Sequence, residues 1–335
     1  MKKIFLGVSF AMALSLSATA FAQGTYPSKP IKMIIPLAAG SAVDNAARVL
    51  TQKMAENMGQ PIHIENITGS AGLMGADRLA KSPPDGYTIG GFNDSVLTMV
   101  PHIYPKVPWN ALRDFDPLSL VGTIEWGIVV KNDSPLKTVA DLIAAAKANP
   151  GKLNFSSGGN GSPQHIGMAL LMNSAGIDMT HVPYKGATPA AVGVAGGEVD
   201  VAMQGLGTVT SLIQGGRLRL LAVSTQQRLS QYPNVPTVHE SGLRDYYFNS
   251  WFAMVAPSQT SREVVTRLNS EVRKALADPV VQEKLTGFGV TLRGTSADEM
   301  ARALREQYAK YGKLIAEKNI KEYIGNRLED LDCEI

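Results

Sequence analysis

The sequence predicts an α/β protein of two domains, and three observations carry that reading. Short apolar runs alternate with amphipathic stretches of helical period, the pattern of strand and helix units that build largely parallel sheets. The 335 residues are 44% hydrophobic and 18% charged, enough for a buried core in each of two ordinary domains. Loops rich in Gly, Ser and Ala join several of the apolar runs to the helix that follows.

Residues 1–22 read as an export leader. Lys2 and Lys3 form a basic start, Ile4 to Leu16 an apolar stretch, and Ala20-Phe21-Ala22 a small-x-small cleavage site before Gln23. The apolar stretch is too short for a membrane anchor, and no cysteine near the cleavage point offers a lipid attachment. Removing the leader takes two lysines from a chain of net charge +3, so the mature protein is expected in the periplasm, soluble and nearly neutral.

Ile31–Ile35 is the first expected strand, followed by a loop and a helix from Val43 to Met58. Ile62–Asn66 and Gly72–Lys81 repeat that unit, and Thr88–Phe92 gives a third strand. After apolar runs at Leu118–Val121 and Ile128–Val130, Thr138 with Asp141 opens a helix as a capping box. Strands are then expected at Leu153–Phe155, Thr180–Pro183, Val199–Ala202 and Leu218–Val223, with helices near Ser162–Ser174, Pro189–Ala195 and Val209–Gln214. Trp251–Ala256 makes a last strand before two charged amphipathic helices, opened by Thr260 with Glu263 and by Ser296 with Glu299. Their apolar stripes, Val264, Val265, Leu268, Val272 and Leu276 in one and Met300, Leu304, Tyr311 and Leu314 in the other, read as faces packed on a sheet.

Several function classes are excluded. Thirty-two basic residues are balanced by 29 acidic ones along the chain, which argues against a nucleic-acid partner. The single Cys333 cannot close an intramolecular disulfide, and His63, His102, His165, His181 and His239 never fall at i, i+3 or i+4, so no metal site is expected. There is no G-x-S-x-G elbow and no phosphate-binding G-x-x-x-x-G-K-[ST] loop. Gly69, Gly72 and Gly75, with Asp94 about twenty residues on, imitate a dinucleotide loop. Their spacing is G-x-x-G-x-x-G, however, so no cofactor is expected. Ser162 and His165 form an i, i+3 pair without an acid to orient the imidazole, a weak case for an exported enzyme.

Two loops are more informative: Pro36 to Asp44, and Ser156 to Pro163 with His165 in the first turn of the next helix. Small residues let a ligand approach the backbone, and a helix N-terminus offers unpaired N–H groups carrying partial positive charge. Such a site holds an anion without Arg or Lys. Ordinary strand-to-helix turns are the alternative for either loop alone; their occurrence in both halves points to a ligand cleft.

At these loops the sequence resembles the Bug family, the TctC-like extracytoplasmic solute receptors of tripartite tricarboxylate transporters. The resemblance rests on Pro36, Gly40, Asp44, Ala47 and Arg48; on Glu65, Asn66, Gly69, Gly72 and Gly75; and on Pro84 to Thr88. Further matches are Asp114-Phe115 with Pro117, Leu142 to Leu153, Gly159 to Ser162 with His165, His181 to Gly186, Gly196 to Asp200, Leu221 to Val223 with Arg228, and Pro233 to Gly242. The resemblance implies a two-domain periplasmic binding protein of the type II flytrap kind, in which the chain crosses between domains near Val121–Trp126 and Phe248–Trp251. Domain one would hold residues 24–124 and 249–335, and domain two 125–248.

The implied function is monomeric capture of a small organic carboxylate, a di- or tricarboxylate, an aromatic acid or an amino-acid-like ligand, for a two-subunit membrane transporter. A sensor protein as the partner is the alternative. Gly40, Ser41, Val43 and Asp44 are expected on one side, with Asp44 capping the helix and shaping its loop. Ser157, Gly161, Ser162 and His165 are expected on the other, with Gln204 or Asn93 reading the distal end. Leu37, Ser156 and Asp94 complete the candidate set. The sequence departs from the family at Ala38, Ala39, Ser41 and Ala42, which replace its prolines and second glycine, and at Gln204, where many relatives carry Asp. Asp94 and Glu125, if they faced the cleft, would favour an amino acid or an amide-bearing acid over a pure anion.

Overall fold

The structure, a computed structural model, describes residues 26–317; the leader and Cys333 lie outside the described residues. β1 (Ile31–Ile35), α1 (Ala42–Met58), β2 (Ile62–Asn66), α2 (Leu73–Ala80) and β3 (Thr88–Asn93) come first, with one 3-10 turn at Ser70–Gly72. Two short helices, α3 (Asp94–Thr98) and α4 (Val100–Ile103), lead to the 17-residue strand β4 (Phe115–Lys131). Then follow α5 (Val139–Ala148), β5 (Asn154–Ser157), α6 (Pro163–Ala175), β6 (Thr180–Pro183), α7 (Ala187–Gly196), β7 (Val201–Gly205), α8 (Leu206–Gln214) and β8 (Leu218–Val223). β9 (Asn249–Pro257), α9 (Arg262–Leu276), α10 (Pro279–Gly287), β10 (Val290–Leu292) and α11 (Ala297–Glu317) complete the described chain.

These strands form two sheets that share β4. In one, β2, β1, β3, β9 and β4 are neighbours in that order, and β10 pairs β4 at Gly122–Ile124. In the other, the C-terminal half of β4 lies between β8 and β7, with β5 and β6 outside β7. β4 changes partners at Glu125 and Trp126: Glu125 still pairs Asn249 of β9, while Trp126 pairs Gly205 of β7. The chain returns where Phe248 precedes β9. At this double crossing the Trp126 and Phe248 rings meet edge to face, Trp126 Nε1 donates to Ser250 Oγ at 2.9 Å, and Ser224 bonds the backbones of both Trp126 and Phe248. The architecture is two α/β lobes joined by two crossings, with a cleft between them.

The sheets are less parallel than the sequence pattern predicts. β1 is parallel to β2 and β3, and β5 to β6 and β7, but β4 is antiparallel to β7, β8, β9 and β10. Antiparallel pairing at the centre follows from the crossings, because one long strand goes out and another returns beside it. The apolar runs Leu118–Val121 and Ile128–Val130 belong to one strand, since Gly122 and Glu125 between them stay in the ladder. The box at Thr138 and Asp141 forms, as does that at Ser296 and Glu299. The cap of α9 is Ser261 rather than Thr260, whose hydroxyl donates to Pro257 O instead. α10 and β10 lie between the two expected C-terminal helices, with Asp278 capping α10 and binding Lys53 of α1 at 2.8 Å.

Candidate functional site

A cavity of about 440 Å³ lies between the lobes. Its walls come from the β1–α1 loop, the segment Thr68–Gly72, the β3–α3 junction, the double crossing, the β5–α6 loop, and the starts of α7 and α8. Leu37, Ser41, Val43, Asn93 and Ser162 of the expected set line it. Gly40, Asp44, Asp94, Ser156, Ser157, Gly161, His165 and Gln204 are not among the residues that line it.

The β1–α1 loop is built by Asp44, which is buried. Its carboxylate accepts from Gly40 N at 2.8 Å, from Arg48 Nε and Nη2 at 2.9 and 3.0 Å, and from Asn66 Nδ2 at 2.9 Å. Gly40 adopts φ +75°, which lets the chain fold back over that carboxylate. Ser41 caps α1 by accepting from Asp44 N, and Ala42 N donates across the cleft to Thr208 Oγ1 at 2.9 Å. The Val43 N–H is the donor of the first turn left without a protein acceptor among the described residues.

The same reduction occurs at α6. Ser162 Oγ accepts from His165 N, Ser162 N donates to Gly159 O, and Pro163 has no N–H. The Gln164 N–H is left open, and Gln164 lines the cavity. Gln164 therefore holds the place that sequence reasoning gave to His165; Pro163 immediately before it was the signal that could have found it.

His165 supports this loop from behind. Its Nδ1 accepts from Gly161 N at 3.2 Å, its ring stacks on His181 at 4.3 Å, and burial pushes its pKa down to about 4. A neutral imidazole acting as acceptor is what the bond requires. Ser157 Oγ bonds His181 Nε2 at 2.5 Å and Ser156 Oγ donates to Ala190 O, so both hydroxyls hold the loop rather than face the cavity.

Asp94 and Glu125 do not face the cleft. Glu125 accepts from Thr123 and Thr291 hydroxyls at 3.1 and 2.8 Å, and burial raises its pKa. Asp94 is fully buried toward Lys310 and Tyr311 of α11, and burial raises its pKa to about 7. Backbone N–H groups of Ser95 and Trp251 lie near enough to favour its charge, but neither carboxylate oxygen has a hydrogen bond of good geometry. No carboxylate lines the cavity among the described residues, and the charged side chain that does, Lys185, is exposed at its mouth.

Gly69 and Gly72 contribute to the wall, whereas Gly75 does not. Ser70 and Ala71 between them take φ of 45° and 52°, a strained left-handed pair facing the cavity. A Cβ on Gly75 would lie 2.7 Å from Ile67 O, so that glycine allows α2 to pack against the loop.

Two sheets, two crossings and a cavity between them bordered by helix N-termini define a periplasmic binding protein fold. The family model described as tripartite tricarboxylate transporter family receptor matches residues 46–320, and the chain belongs to that family. It is 37% identical over 94% of its length to a UPF0065 protein from the tcbD-tcbE intergenic region of Pseudomonas sp. strain P51, covering 94% of that relative. It is 33% identical to protein BugT of Bordetella pertussis, covering 92% of this chain and 99% of that one. Among solved structures, R. palustris Rpa4515 with adipate shares a TM-score of 0.85 and 29% identity, covering 88% of this chain and 98% of that one. MatC from Rhodopseudomonas palustris with bound malate shares 0.82 and 26%, covering 87% and 100%. The family consists of solute-binding receptors of the periplasm, and this chain is a binding protein rather than an enzyme. Among the described residues no helix is long and apolar enough to cross a membrane.

Proposed function

We propose that the exported chain, acting as a monomer, captures a small organic carboxylate between its lobes and delivers it to the membrane subunits of a tripartite tricarboxylate transporter. In this reading the first lobe takes residues 24–124 and 249–335, of which 24–25 and 318–335 lie outside the described residues, and the second takes 125–248. The observation that carries this reading is the pair of open N–H groups, Val43 and Gln164, at the second positions of two helices facing one cavity. Each adds its helix end's partial positive charge, and no lining carboxylate opposes an anion. Asn93 lends its amide group: its Oδ1 accepts from Val96 N and Ser95 Oγ, leaving Nδ2 to donate. The cavity volume suits a ligand of a few carbons with a carboxylate at one or both ends. Adipate and malate in two related structures are ligands of that size.

A thermal-shift and calorimetric screen of succinate, glutarate, adipate, citrate and benzoate tests the reading. At least one should bind, and Val43→Pro, which removes one donor in a first turn that tolerates proline, should weaken it about tenfold while the fold is retained. Absence of binding by every acid would refute the proposal.

A further inference from the structure

Lys185 stands apart from the rest of the cleft wall. It carries the one charged side chain among the described residues that line the cavity, and that side chain is exposed at the mouth. Its ammonium makes no hydrogen bond or ion pair with another described residue, whereas Lys131 of the same lobe is paired with Asp133 at 3.1 Å. With no carboxylate among the described lining residues to neutralise it, this charge acts on whatever approaches the mouth.

The backbone places Lys185 at the seam between the lobes. It precedes Gly186, the N-cap of α7, which takes φ +123°. A Cβ on Gly186 would stand 2.6 Å from Ala38 Cβ of the β1–α1 loop, so the two loops meet with room for hydrogen alone. Thr188 Oγ1 donates to Ala39 O at 2.8 Å across the same seam. On its other side Gly186 touches the β5–α6 loop, its carbonyl carbon 3.2 Å from where a Cβ on Gly158 would stand. Through Gly186, Lys185 therefore adjoins both loops that open the helices with unpaired N–H groups, α1 and α6.

Those N–H groups and Lys185 act over different ranges. The partial charge of a helix end falls off within a turn, so the N–H groups of Val43 and Gln164 hold an anion that has already entered. A full charge at the rim acts over about a Debye length, ~8 Å at physiological ionic strength, and the nearly neutral mature chain supplies no stronger field to mask it. An exposed ammonium on a flexible stem adds little to an anion held elsewhere. We propose that Lys185 draws anionic ligand to the mouth and sets the association rate, without holding the ligand inside the cleft. The proposal rests on the carboxylate reading of the site and adds how that site fills.

Stopped-flow mixing of the mature protein with each acid that binds among succinate, glutarate, adipate, citrate and benzoate tests it, read by the fluorescence of Trp126 in the cavity wall. At ~10 mM salt, Lys185→Gln should slow association of a dicarboxylate about threefold and Lys185→Glu about tenfold, with dissociation within about twofold of the parent. Benzoate, with a single charge, should be slowed less. At ~1 M salt, where the Debye length shrinks from ~30 to ~3 Å, the three proteins should associate at the same rate. Lys152→Glu makes the same change of net charge as Lys185→Glu at an exposed lysine outside the cavity wall, and should leave association within about twofold. Faster dissociation with unchanged association would make Lys185 a holding residue and overturn the proposal alone. Equal slowing by Lys152→Glu, or association indifferent to both substitutions at Lys185, would overturn it too. Failure of every acid to bind overturns both it and the carboxylate reading.

Discussion

Two buried carboxylates on the same lobe behave oppositely because one has partners and the other does not. Asp44 satisfies Gly40, Arg48 and Asn66 together, so Asp44→Ala leaves a loop N–H and a guanidinium without their acceptor. The variant should lose about 2–3 kcal/mol in urea unfolding and bind ligand more weakly, since Gly40 no longer holds the loop. Asp94 has no aligned donor, and burial raises its pKa from 3.8 to about 7. The folded state then keeps a proton that the unfolded chain releases near pH 4, so between about pH 4 and 7 this group's contribution to stability falls as pH rises. Asp94→Asn removes that dependence. Unfolding of the variant and the parent should nearly coincide at pH 4 and differ at pH 8, with the variant more stable by up to about 4 kcal/mol. A pH-independent difference would show that Asp94 is paired. Asp44's part in shaping the loop was legible in the sequence, but the cap was not: Ser41 rather than Asp44, the residue expected there, caps α1. Asp94's orientation was not legible either, because which face of β3 and α3 meets α11 is settled by packing across some two hundred residues of chain.

The helix ends show what a linear pattern conveys about elements and what it omits. Loops of small residues before α1 and α6 marked both as candidate anion-binding starts, but the sequence could not show which N–H groups the protein itself uses. Thr208, on α8 of the opposite lobe, takes the Ala42 N–H, and Asn45 Nδ2 donates to Gly207 O at 2.8 Å nearby. Thr188 Oγ1 also donates to Ala39 O, and Tyr104 OH to Asn160 O, across the cleft. Thr208→Val should therefore favour separation of the lobes by about 1 kcal/mol, with a larger scattering radius before ligand addition and about fivefold weaker binding. The Gly69, Gly72 and Gly75 series was weighed as a nucleotide loop and expected to hold no cofactor. Its structural cause is contact: Gly75 sits against Ile67 O and Pro36, so Gly75→Ala should cost about 1–3 kcal/mol and displace the β1–α1 loop. A Gly75→Ala protein of unchanged stability and affinity would contradict that packing.

At the scale of the whole molecule, capture follows from one geometry: two sheets share β4, β9 returns beside it, and a cleft forms between them. Ligand bound only by the folded, closed form should add about 2.7 kcal/mol of stability at a hundredfold excess over Kd, measurable as a concentration-dependent rise in Tm. A Tm insensitive to ligand concentration would show that binding is not coupled to the fold. The sequence by itself determined the α/β class, most strand positions, the helix caps at Thr138 and Ser296, and the family, because these depend on residue order over a few positions. Tertiary structure alone decided that the sheets are antiparallel at their centre, that Asp94 and Glu125 turn from the cleft, and that Val43 and Gln164 are left with open donors. Those outcomes depend on which groups meet across long stretches of chain, as where Thr208 claims the Ala42 N–H.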